Sequence, residues 1–86
     1  MTAQAAVSVT DSSGSTIAIN RYSLRSEIFV RVEGDNVWLG FNQAAVANKG
    51  VFLKAGEPTV IGGIYATSDI YAVCATGESG TLYADA

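Results

Sequence analysis

Ile28, Val30 and Val32 alternate with Phe29, Arg31 and Glu33. Side chains two residues apart share a face only when the chain is extended, so this run predicts a strand with one apolar side. The same period recurs along the chain. Val7 and Val9 alternate with Ser8 and Thr10, Ile17 and Ile19 with Thr16, Ala18 and Asn20, and Val37, Leu39 and Phe41 with Trp38 and Gly40. Further short runs lie at Val51–Leu53, Thr59–Ile61, Ile70–Ala75 and Thr81–Ala84. Between them stand Asp11-Ser12-Ser13-Gly14, Gly34-Asp35-Asn36, Lys54-Ala55-Gly56-Glu57-Pro58, Gly62-Gly63 and Thr76-Gly77-Glu78-Ser79-Gly80, all turn chemistry. About eight short strands at such spacing predict an all-β domain, a small antiparallel sandwich or barrel. Asp11–Gly14 is expected to close a hairpin between the first two strands, and Gly34–Asn36 to return the chain from the third to the fourth. Asn42–Lys49 reads as a loop with at most one helical turn, and Ile64–Asp69 as a loop carrying Tyr65.

The chain of 86 residues is one domain, with residues 1–5 as an N-terminal arm. Apolar residues make up 49% and charged residues 15%, which argues against a disordered chain and for a surface partly covered by another chain. The N-terminus lacks the basic and apolar regions of a signal peptide. No stretch approaches the roughly 18 unbroken apolar residues that a spanning helix needs, so no membrane is expected.

Several chemistries lack their residues. There is no histidine, which removes the commonest general base and metal ligand. With one cysteine, ordinary zinc sites and an intrachain disulfide are also out of reach. Cys74 lies in the apolar run Ile70–Ala75 and is expected to be buried and inert, without a basic neighbour to activate it. The eight carboxylates sit mostly in or beside turns, and no phosphate loop, dinucleotide fingerprint or nucleophile–base pair occurs. The expectation is no enzyme and no cofactor. Net charge is −3, and Arg21, Arg25 and Arg31 are interrupted by Glu27 and Glu33. That is not the basic stripe of a nucleic-acid binder.

Strand parity supplies the candidate site. With Ile28, Val30, Val32, Val37, Leu39, Phe41, Val51, Leu53, Ile70, Ala72 and Cys74 inward, Val73 points outward and so do the rings of Phe29, Trp38, Phe52 and Tyr71. Together the four rings predict an exposed aromatic patch, to which loop residue Tyr65 is added. Exposed apolar patches of this kind mark interfaces.

Three segments carry a resemblance: Gly34-Asp35-Asn36-Val37-Trp38-Leu39-Gly40-Phe41, Gly50-Val51-Phe52-Leu53-Lys54-Ala55-Gly56-Glu57-Pro58 and Ile70-Tyr71-Ala72-Val73-Cys74-Ala75-Thr76-Gly77. Their order and spacing, with the Val/Thr-rich strand at Ala6–Thr10, resemble small β-sandwich proteins of the structural modules of tailed bacteriophages and prophages. The resemblance runs from about Val7 to Leu82, and within that group capsid decoration (cement) proteins fit best. It implies a virion structural protein made in the host cytoplasm. It further implies binding outside the mature head, a homotrimer and the major capsid protein as partners, and no inherited site residues. The alternative is a tail or head-fibre module binding host-surface glycans through Trp38, Tyr65 and Tyr71.

Overall fold

A computed structural model describes residues 4–20, 27–63 and 67–85. Among them, β1 (Gln4–Thr10) pairs with β8 (Ser79–Asp85) and β2 (Ile17–Ile19) with β7 (Ile70–Val73). β3 (Glu27–Gly34) pairs with β6 (Thr59–Gly62), and β4 (Val37–Phe41) with β5 (Val51–Leu53). All four pairings are antiparallel, like rungs of one long hairpin closing between β4 and β5. The hairpin is rolled up, so alternate rungs fall in opposite sheets. β3 also pairs with β8, and β4 with β7, giving sheet orders β1-β8-β3-β6 and β2-β7-β4-β5. This is the strand order of a jelly roll, a double-sheet β-sandwich.

The predicted all-β sandwich is present, but two expected hairpins are not. β1 and β2 lie in different sheets, and the segment between them crosses the sandwich. β2 has three residues and could satisfy only part of β1, whereas β8 matches all seven β1 positions in unbroken register. Gly34–Asn36 likewise crosses from one sheet to the other. Gly34 lies opposite Gly80 with φ +96°, a conformation that L side chains avoid. A Cβ on Gly80 would lie 2.9 Å from the Asp35 carbonyl oxygen, so the turn closes only over bare backbone. The Asp35 N–H donates to the Ser79 carbonyl (3.1 Å), and the Ser79 N–H to Asp35 Oδ2 (3.0 Å). Gln4 and Ala5, expected in an N-terminal arm, instead belong to β1 and pair with Asp85 and Ala84; the rest of that arm lies outside the described residues.

The core lies between the sheets. Val9, Ile28, Val30, Val32, Ile61, Leu82 and Ala84 meet Ile19, Val37, Leu39, Leu53, Ile70, Ala72 and Cys74. Full burial of one such aliphatic side chain stabilises the fold by about 1.5–3 kcal/mol. No aromatic ring belongs to this buried cluster among the described residues. Phe41 packs against its margin, and Phe29, Trp38, Phe52, Tyr71 and Tyr83 stand outside. Val, Ile and Leu fill a sandwich of about 10 Å spacing, which leaves the rings for the outer faces.

Cys74 is buried, as expected, and its Sγ lies 3.6 Å from the Val9 carbonyl oxygen. Burial pushes the thiol above its ordinary value of 9.0, and the carboxylates of Asp35, Glu78 and Asp11 add to the rise.

Candidate functional site

A sandwich has two outward faces, and the predicted aromatic residues divide between them. On the β2-β7-β4-β5 sheet, Phe52, Trp38 and Val73 form one cross-strand row and Tyr71 sits beside Gly40 in the next. The Trp38 and Phe52 ring centroids are 5.2 Å apart, with planes inclined by 49°. Phe29 belongs to the other sheet and faces the opposite way, so the expected four-ring patch does not exist as one surface. Parity correctly made Phe29 outward, but period 2 cannot say which sheet a strand joins. Tyr65 lies outside the described residues.

The loop between β4 and β5 folds back over part of the Trp38 face. Asn42 starts it with φ 58°, and the Asn42 N–H donates to the Asp69 carbonyl oxygen (2.8 Å). Its Oδ1 accepts from the Asp69 N–H (3.1 Å), and its Nδ2 donates to Ser68 Oγ (3.0 Å). Further along, the Ala45 N–H donates to the Gly14 carbonyl oxygen (2.8 Å) and the Ala45 side chain is buried. Gly40 lies under this loop, where a Cβ would come within 2.7 Å of the Gln43 carbonyl oxygen. Val73, outward by parity, is only 5% exposed beside this cover. What stays open is the β5 side, where Phe52 is 48% exposed and Trp38 half-buried. Val51 faces inward opposite Leu39, as parity predicts, but at the sheet edge it stays 40% exposed.

The opposite face carries an apolar pair that the sequence reading missed. Phe29 and Val60 are direct cross-strand neighbours, 51% and 53% exposed. Beside them the Arg31 guanidinium lies 4.8 Å above the Tyr83 ring and is ion-paired with Glu33. Stacking and pairing hold the cation against the sheet and leave the surface around Phe29 largely apolar. A shallow hollow of about 280 Å³ lies here, lined by Phe29, Arg31, Pro58, Tyr83 and Asp85 among others. Tyr83 was accessible to the same parity argument, standing between Leu82 and Ala84.

Both surfaces are therefore suited to contact. No group of three potential metal-ligating side chains occurs among the described residues. No helix among the described residues is long and apolar enough to cross a membrane. Comparison with protein-family models, curated proteins and solved structures found no match.

Proposed function

We propose that this chain is a capsid decoration protein of a tailed bacteriophage, holding the outside of the mature head together by bridging capsid subunits. One observation carries the reading: apolar side chains stand uncovered on both opposite faces of a thin sandwich, Trp38 and Phe52 on one and Phe29 and Val60 on the other. A bridging module needs two contact surfaces, and rings left outside the core are the side chains enriched in interfaces. Jelly rolls occur among viral capsid domains, which adds fold-level analogy alone. Many copies on one shell would make weak individual contacts collectively strong.

The experiment is cosedimentation of the purified protein with heads that lack it, before and after head expansion. Binding to expanded heads, with a rise in their melting temperature, supports the proposal. Failure to bind either form would overturn it. Retention on host-surface glycans without head binding would favour the fibre-module alternative.

A further inference from the structure

Among the described residues no strand pairs with the outer edge of β1, and this edge differs from the other three sheet edges. β2 has three residues and an irregular register at Ile17/Ile19. β5 has three residues between Gly50 and Lys54, and β6 has four, preceded by Pro58 and ending at Gly62 with Gly63 beyond. Short strands, bulges, proline and lysine are the devices that stop sheets from joining edge to edge. β1 has none of them. It runs seven residues, Gln-Ala-Ala-Val-Ser-Val-Thr, without charge, proline or glycine and without a register shift against β8.

The groups on this edge can be assigned. Residues of an antiparallel strand direct their N–H and C=O alternately to one neighbour and the other. The Thr10 N–H bonds Ser13 Oγ (3.1 Å) and its carbonyl accepts from the Cys74 N–H (3.0 Å), so Thr10 faces away from β8. By the two-residue period, Gln4, Ala6 and Ser8 face the same open edge. Thr10 already has its partners. The remaining three are centred on Ala6.

From this we infer that two copies of the chain pair through β1, antiparallel, about a twofold axis at Ala6. Ala6 then bonds Ala6 of the second copy, and Gln4 bonds Ser8 in both directions, about six backbone hydrogen bonds in all. A second copy is the occupant that matches this edge group for group. The uncharged strand also lets two chains of net charge −3 approach without opposing like charges. The axis is perpendicular to the sheet, as antiparallel edge pairing requires. Both Phe29–Val60 faces therefore end on the same side of a continuous eight-stranded sheet. If the proposed capsid role holds, the dimer offers that face twice to one shell; the pairing itself does not depend on that role. It gives a dimer where the sequence reading expects a trimer.

Analytical ultracentrifugation at about 1–100 μM tests it. The native chain and Gln4→Lys/Ser8→Glu, which sets opposite charges across the axis, should sediment at twice 8.9 kDa. Gln4→Lys/Ser8→Lys sets like charges there and should sediment as the 8.9 kDa monomer with an unchanged circular dichroism spectrum. A native monomer or trimer throughout, or a dimeric double-lysine variant, overturns the inference. Should that variant not fold, amide exchange of the native chain decides. Ala6 and Ser8 amides should be protected at high concentration and lose protection on dilution; fast exchange at all concentrations overturns the pairing. A monomeric native chain that still binds heads would refute β1 pairing while leaving the capsid proposal standing.

Discussion

Trp38 and Phe52 face each other across β4 and β5, with ring centroids 5.2 Å apart, on the outside of the sandwich rather than in its core. Aromatic pairs of this tilt are worth about 0.5–1.5 kcal/mol beyond the area they bury. The pair therefore stiffens the β5 edge while half of Phe52 remains available to a partner.

Trp38→Ala should leave a folded β protein destabilised by about 1–2 kcal/mol, less than the 3–5 kcal/mol typical of a fully buried ring. A double-mutant cycle with Phe52→Ala, read by urea unfolding, should return a coupling of about 0.5–1.5 kcal/mol. Complete unfolding of the single variant would place Trp38 in the core, against the structure. Both variants should lower the affinity for heads, since truncating an interfacial aromatic anchor commonly costs about 2 kcal/mol or more.

Gly40→Ala should destabilise the chain by about 1–3 kcal/mol, the usual cost of forcing atoms into filled space. The new Cβ would lie 2.7 Å from the Gln43 carbonyl oxygen and 3.0 Å from that of Ala44, both backbone atoms of the covering loop. The change should also uncover Val73, seen as faster amide exchange in β7. Unchanged stability would mean that the loop does not rest on the sheet.

At Asn42, glycine should be tolerated better than alanine. Both substitutions remove the side-chain bonds to Ser68 and the Asp69 N–H. Only alanine then has to hold φ 58° without them, at an added cost of about 1 kcal/mol. Thermal unfolding should therefore rank native above Asn42→Gly above Asn42→Ala. A reversed order of the two variants would show that the turn does not hold this backbone conformation.

Cys74 gives a pH dependence. Its thiol ionises above the ordinary 9.0 when folded, because of burial first and the nearby carboxylates second. The unfolded chain therefore releases this proton at lower pH than the folded one. The stability linked to Cys74 is intact below about pH 9 and falls as pH rises from there through the folded value. Cys74→Ala should flatten that part of the stability curve. Native protein should label slowly with a thiol reagent at pH 8 and stoichiometrically in denaturant; rapid native labelling would contradict the burial.

The alternation of Ile28, Val30 and Val32 made the strands and their inward residues legible, and β3 shows that pattern in full. Partner choice was not legible. β1 binds β8 at the far end of the chain, and no local signal distinguishes that from a hairpin with β2. The same gap misplaced Phe29, whose outward direction is local but whose sheet is not. Ile17 is 40% exposed because the β2 register shifts beside it, an irregularity that a strict period of two cannot express. Val73 was outward by parity yet is nearly buried, since a loop arriving from β4 lies beside it. Val60 escaped notice because its strand is short and broken by Gly62-Gly63.

The most direct test of the capsid account is an electron cryomicroscopy reconstruction of the particle made by the genome that encodes this chain. The account predicts jelly-roll density on the outer surface of the expanded head, at seams between capsid subunits, with the Phe29–Val60 or Trp38–Phe52 face against the shell. A head whose outer surface lacks this fold, or a particle that carries the chain only on its tail, would contradict it.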